Sequence, residues 1–272
     1  LYIALIITKA MVAEYIDKLL SVEEYSFSLD ELMRQTAKSK NAIWLELAHL
    51  IEKNKVINLR KGFYLILTPR YSNFGKLPIN LYIDKLFDYL ERKYYLGFYS
   101  AAKVYGASHQ QAQRDYVMTA TPKLLDIQKP AIDIRFLTTS AWPEKNIHSK
   151  KSDAGIYHIS SPALTLADLV HYQNKLGGLN RMLSTIEELR EEVTPNDLED
   201  LLSWYGNKAT LQRLGFLLDK IDSENSLSDL IFQHLEKQKI HPVLLKPTNQ
   251  QRPGSVDNKW KVDINLQLES DL

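Results

Sequence analysis

The chain has 272 residues, 44% of them apolar, which is enough for one large domain or two ordinary ones with real cores. Thirty-four Lys and Arg face 33 Asp and Glu, a net charge of +1, so the whole-chain charge argues for neither a nucleic acid nor an acidic partner. With no Cys, disulfides, thiolate metal sites, iron–sulfur clusters and cysteine nucleophiles are excluded.

The apolar run Leu1–Ile7 is cut by Lys9, far short of the ~20 residues of a spanning helix. No membrane span or export segment is expected, and the absence of Cys suits a cytoplasmic protein. Leu1–Ser21 is expected to be a helix, with Met11, Val12, Tyr15, Ile16, Leu19 and Leu20 at helical spacing. Ser28 caps a short second helix at Leu29–Thr36, with Asp30 and Glu31 in its first turn. The turn Ala37-Lys38-Ser39 leads to a third helix at Lys40–Lys53, with Trp44, Leu47, Ala48 and Ile51 as its expected buried stripe. Two apolar runs follow, Val56–Leu59 and Phe63–Leu67, joined by the basic turn Arg60-Lys61-Gly62.

Charge divides the chain. Between Ser28 and Lys76 nine bases oppose four acids, a local net of +5; between Asn180 and Glu236 five bases oppose twelve acids, a net of −7. Pro69, Gly75 and Pro78 punctuate a polar seam, which sets expected domains at 1–76 and 77–272. Three helices and a basic-tipped hairpin predict a winged helix-turn-helix. The start of its third helix can enter a major groove, where Asn41 reaches base edges. Lys38, Lys40, Arg60 and Lys61 would neutralise phosphates on either side, and Ser39, the expected cap of the third helix, completes the DNA-binding set. The alternative is a protein-interaction domain with a solvated basic surface.

The larger remainder reads as mixed α/β with a helical C-terminal half, which makes the whole chain α+β. Helices are expected at Pro78–Leu90, Ser100–Tyr105, Ala163–Tyr172, Leu179–Leu189, Pro195–Tyr205, Ala209–Ile221 and Leu227–Gln238. Tyr94–Phe98 is a short aromatic run, and strands are expected at Tyr116–Ala120, Ile132–Leu137 and Ile156–Ile159. Lys246–Asn258 reads as a long loop. Trp260–Leu268 alternates apolar and polar residues and predicts a last strand with one buried face.

No phosphate-binding glycine loop, nucleophile elbow or H-E-x-x-H pair is present, and no two Asp stand at i, i+2. Neither a catalytic residue, a metal nor a cofactor is therefore expected. His109, Gln110, Gln111, Gln113 and Arg114 read as a hydrogen-bonded loop. Asp168 and His171, at i, i+3, read as a salt bridge or surface pair. Glu187, Glu188, Glu191 and Glu192 read as a solvated face, or one that meets a basic partner.

Taken together, Ser39–Gly62 with Phe63-Tyr64, Gly97-Phe98-Tyr99-Ser100-Ala101-Ala102, the stretch from Tyr105-Gly106-Ala107 to Gln111, Ser161-Pro162-Ala163-Leu164-Thr165-Leu166-Ala167-Asp168-Leu169-Val170 and the tail from Asn258-Lys259-Trp260 resemble the AbiEi-type antitoxins. The resemblance implies a bacterial antitoxin whose winged helix binds inverted repeats in double-stranded operator DNA and represses its own promoter. It implies a second domain that counteracts an AbiEii-type nucleotidyltransferase toxin, and it leaves open whether the two proteins touch. Where that family often carries Gly after the third helix, this chain has Asn54-Lys55; Asn accepts the left-handed conformation, so the turn is expected to form. The rival reading is a stand-alone winged-helix regulator with a ligand-sensing second domain.

Overall fold

The computed structural model describes residues 11–36, 38–73, 76–107, 114–130, 132–222 and 226–269. Leu1–Ala10, Ala37, Gly75 and the His109 cluster except Arg114 lie outside the described residues, as do the last three positions of the tail. Among the described residues the fold is mixed α and β, with eleven α-helices and three sheets. The chain divides into two compact units. The first holds residues 1–94, 123–136 and 149–158; the second holds 95–122, 137–148 and 159–272. The seam expected at 76/77 therefore lies inside the first unit.

The first unit runs α1 (Val12–Leu20), β1 (Ser26–Ser28), α2 (Leu29–Thr36), α3 (Lys40–Glu52), β2 (Val56–Arg60), β3 (Phe63–Ile66), α4 (Pro69–Asn73) and α5 (Ile83–Tyr89). The second and third helices and the hairpin fall where the sequence places them; of the first helix, expected at Leu1–Ser21, the described part is Val12–Leu20. β1 is an addition: three residues are too few for periodicity to reveal. It pairs antiparallel with β3, giving a three-stranded sheet of order β1-β3-β2. Ser28 and Glu31 form a capping box at the start of α2. The Ser28 amide donates to Glu31 Oε2 at 2.7 Å, and the Glu31 amide donates to Ser28 Oγ at 3.1 Å. Val12, Ile16, Phe27, Leu32, Ile43, Leu47, Val56 and Tyr64 make the core. The helix expected at Pro78–Leu90 is broken into a 3₁₀ turn at Ile79–Leu81 and α5.

α3 ends in a Schellman turn. The Asn54 amide bonds Ile51 O and the Lys55 amide bonds Leu50 O, both at 2.9 Å, with Asn54 at φ +53°. The Asn54-Lys55 turn thus forms as expected, with residual cost because Asn has a Cβ. Asn54→Gly should stabilise the protein by ~0.5–1 kcal/mol, read as a rise in the thermal midpoint. A fall would mean that the Asn side chain supports the turn.

The remaining elements are β4 (Tyr94–Leu96), α6 (Phe98–Val104), β5 (Asp115–Ala120), β6 (Ile127–Lys129), β7 (Ile132–Thr139), β8 (Ile147–Ser152) and β9 (Gly155–Ser160), then α7 (Pro162–His171), α8 (Leu179–Leu189), α9 (Pro195–Trp204), α10 (Lys208–Ile221), α11 (Ser226–Glu236), β10 (Val243–Leu244) and β11 (Val262–Asp263). β4 to β9 form a six-stranded sheet of order β6-β7-β5-β4-β9-β8. The helical C-terminal half matches the sequence expectation closely. Gly106, at φ +82°, follows α6 and stops it. β6 and β8 are short or polar and carry no alternation to read.

The expected strand Trp260–Leu268 shrinks to β11, which pairs in parallel with β10. Its polar members are needed inside. Asp263 Oδ1 accepts from the amides of Gly254 and Ser255 at 3.0 and 3.1 Å. Asn265 accepts from the Lys246 amide at 2.9 Å and donates to Asn249 O at 2.6 Å. These bonds pin the Lys246–Asn258 loop; Asp263 and Asn265 are consequently buried while Ile264 faces outward.

Candidate functional site

Two features of the first unit bear on nucleic-acid binding: the outward face of α3 and the β2–β3 turn. Ser39 caps α3, its hydroxyl accepting from the Ala42 amide at 3.4 Å. Lys40 and Asn41 follow it, both exposed in the first turn, and no acid shares that turn. Lys61 is exposed at the tip of the β2–β3 turn. Beside it, Gly62 sits at φ +81°, and a Cβ there would meet Tyr89 Oη at 2.5 Å. The Tyr89 hydroxyl donates to Lys61 O at 3.0 Å, so the tip is held in one shape.

Besides the capping Ser39, two of the six expected contact residues are already engaged. Lys38 Nζ pairs with Glu46 on α3 and is only 15% exposed. Glu46 also accepts from the Val12 amide at 3.0 Å, so this ion pair joins the start of α3 to α1. The Lys38 hydrogen bond holds the Glu46 carboxyl below its ordinary range. Arg60 turns inward. Its guanidinium lies 5.3 Å from the centroid of the Phe136 ring and donates to Leu125 O. Desolvation pushes its pKa below the ordinary arginine value. Both side chains shape the surface more than they supply charge to it.

The face of α3 also departs from expectation. Ile43 and Leu47 are buried, with Leu50 packed against the same core. Trp44, expected in that core, is 44% exposed, and Ile51 is 37% exposed. Leu45 is 74% exposed and Ala48 is exposed too. Of the expected stripe Leu47 alone is buried; Ile43 and Leu50 face the core where the sequence places Trp44 and Ile51.

In the second unit α7 sits at the centre of a buried polar network. Asp197 Oδ2 accepts from the Ala163 amide at 2.8 Å, favourable for a carboxylate at a helix N-terminus. Asn146 donates to Asp197 and accepts from Trp204 Nε1 at 2.8 Å, so the residue just before β8, α7 and α9 share one set of hydrogen bonds. Further along α7, Asp168 is buried and accepts from the Tyr95 hydroxyl at 2.8 Å. His171 meets Thr210 Oγ1 at 3.0 Å. The expected surface pair of Asp168 and His171 is therefore not formed: one member is in the core and the other binds α10. Glu191 and Glu192 are exposed in a 3₁₀ turn after α8, whereas Glu187 and Glu188 are half-buried. Among the described residues no three His, Asp or Glu side chains cluster as a metal site requires. No helix there is long and apolar enough to cross a membrane.

Burial pushes the Asp168 carboxyl up to about 7, with the Tyr95 hydrogen bond pulling the other way. In the unfolded chain this group titrates near 4. Between those values the folded state holds a proton that the unfolded state has lost. The associated stability is complete at low pH, falls as pH rises through this window and levels off above it. Asp168→Asn keeps an acceptor for Tyr95 and removes the charge. Its melting temperature should stay flat between about pH 5 and pH 8, where the parent loses on the order of a few kcal/mol. Equal slopes for the two proteins would show that Asp168 is already ionised at low pH.

Residues 95–220 match the family model of the AbiEi antitoxin C-terminal domain. No curated protein matches the chain. The crystal structure of RV2827C protein from Mycobacterium tuberculosis is similar in fold: TM-score 0.63 at 12% identity, covering 92% of this chain and 90% of that one. The matched segment begins where the second unit begins and contains α7 with its buried network. Over residues 95–220, a little under half of the chain, the sequence is thus similar to the AbiEi antitoxin C-terminal domain, and this match supports an antitoxin role of the toxin–antitoxin kind.

Proposed function

We propose that the protein is a cytoplasmic antitoxin without catalysis of its own. It counteracts an AbiEii-type nucleotidyltransferase toxin through its second unit and represses its own operon through its first. The match over residues 95–220 supports the antitoxin half. For DNA binding the support is the order helix, strand, helix, helix, strand, strand, which suits a winged helix-turn-helix, together with one placement. Lys40 and Asn41 open α3 in the exposed first turn, and Lys61 is exposed at the tip of the hairpin that would be the wing.

In this arrangement Lys40 and Lys61 take phosphates, Asn41 takes a base edge, and Ser39 fixes the entry angle of α3. Lys38 and Arg60 act by positioning: the first holds the start of α3 and the second holds the wing. Operator DNA with inverted repeats is the nucleic-acid partner. Lys40→Ala and Lys61→Ala should each weaken binding to a duplex from the protein's own promoter. Each should lower the slope of log affinity against log salt by roughly one. Unchanged affinity and slope in gel shifts at several salt concentrations would overturn the assignment.

A further inference from the structure

The outward face of α3 is apolar where a purely electrostatic DNA contact has no use for apolar side chains. Asn41, Trp44, Leu45 and Ala48 stand at i, i+3, i+4 and i+7, on one stripe. That stripe lies opposite Ile43 and Leu47, which fill the core. Leu45 is 74% exposed and Trp44 44% exposed, and among the described residues nothing covers them fully. Cations rim the face: Lys40 stands at its start, Lys53 and Lys55 follow its end, and all three are exposed. Glu46, the acid nearest the first turns, is neutralised by Lys38.

We propose that α3 reads A·T base pairs by their thymine methyl groups. Leu45 packs on a thymine C5-methyl, Trp44 flanks it, and Asn41 takes the adenine edge beside it. This rests on the DNA-binding reading above and adds the chemistry of its specificity. The argument is complementarity. In the major groove only thymine offers a methyl group, and adenine offers the N7 acceptor and N6 donor that fit a carboxamide in two bonds. A face with one carboxamide, two large apolar side chains and a basic rim matches A·T pairs flanked by phosphates. It offers G·C pairs no arginine and no acid for cytosine, and Lys40, its one lysine near the groove, is taken by phosphate in this arrangement.

The test uses the full chain and a duplex enriched by it from a random-sequence library. That duplex is then resynthesised with deoxyuridine in place of thymine, which removes the methyl and leaves charge and base pairing intact. The parent should bind the deoxyuridine duplex about fourfold more weakly for each contacted methyl. Leu45→Ala should bind the thymine duplex more weakly by a similar factor and no longer distinguish the two duplexes. Neither change should alter the salt slope, because no phosphate contact is touched. Leu45 is solvent-exposed, so its truncation leaves the core intact, and an unchanged melting temperature verifies this.

Equal binding of the two duplexes by the parent overturns the proposal, as does discrimination that survives in Leu45→Ala. A sedimentation mass that falls in Leu45→Ala, with both duplexes still bound equally, overturns it in favour of a contact between copies of the chain. Failure to enrich any sequence from the library overturns the DNA-binding reading itself, and this proposal with it.

Discussion

Gly215→Ala should destabilise the second unit by about 3 kcal/mol or more, although alanine is the better helix former by ~1 kcal/mol. Gly215 lies mid-way along α10, and a Cβ there would stand 2.2 Å from both Cη2 and Cζ3 of Trp260. The indole has nowhere to go. Trp260 is 2% exposed, and its Nε1 donates to Asp219 Oδ2 at 2.7 Å, one turn further along the same helix. Its carbonyl accepts from Gln212 Nε2 at 2.7 Å. Lys259 covers the ring from the other side, 5.1 Å from its centroid, and pairs with Asp219 at 3.0 Å. A ring tied at so many points resists the shift of an ångström or more that a methyl requires. Thermal unfolding should show a drop of roughly 6–12 °C for a unit of this size. Trp260→Leu should lose packing, the Asp219 hydrogen bond and the Lys259 contact, yet be nearly insensitive to the added Gly215→Ala, which gives a strong coupling between the sites. Parent-like melting of Gly215→Ala would show that Trp260 has slack. The contact also means that the domain needs residues beyond 220, since Trp260 lies forty residues past the end of the family match.

Most of this fold is legible in the sequence wherever a local rule has one solution. Ser28 with Glu31 permits a capping box and forms one. Asn54 can take a positive φ after α3, and does. α3 itself shows the limit. Its run Ala42-Ile43-Trp44-Leu45-Glu46-Leu47-Ala48-His49-Leu50-Ile51 is apolar on more than one face, so a 3.6-residue period fits two stripes equally well. Size suggests that Trp44 belongs in the core. The core instead takes Ile43 beside the expected Leu47, and only the packing of α1 and the sheet decides between Ile43 and Trp44. Asp168 shows a second limit: a carboxylate on an otherwise apolar helix looks like a surface residue until its partner, Tyr95, arrives from 73 positions away. The wing shows a third. Arg60 and Lys61 are adjacent and chemically alike, but one packs on Phe136 and the other faces solvent, and no sequence spacing separates their roles.

Deleting residues 1–76 should damage more than DNA binding. The first unit includes residues 77–94, 123–136 and 149–158, and each of these pieces is held by something before position 77 or by another of them. Tyr89 would lose Phe63, whose ring centroid is 5.4 Å away, and the Lys61 carbonyl. Phe136 and Leu125 would lose the Arg60 guanidinium, and Lys85 would lose the Glu24 carboxylate at 2.6 Å. Leu77, Ile79, Ile83, Leu86 and Phe87, all buried in the intact chain, belong to the same unit. Exposing even two or three such side chains costs on the order of several kcal/mol. The fragment 77–272 should therefore aggregate or melt at least ~10 °C below the full chain, and a failure of that fragment to protect cells would say little about where antitoxicity resides. Point changes on the exposed surface divide the functions cleanly. A full-length chain with Lys40→Ala, Asn41→Ala and Lys61→Ala removes three exposed side chains and no core contact, so its melting temperature should be that of the parent. It should lose repression of a promoter–reporter fusion and still restore growth when co-expressed with the AbiEii-type nucleotidyltransferase toxin proposed as its counterpart. If this folded variant fails to restore growth, antitoxicity depends on the first unit, and assigning it to the domain at 95–220 is wrong.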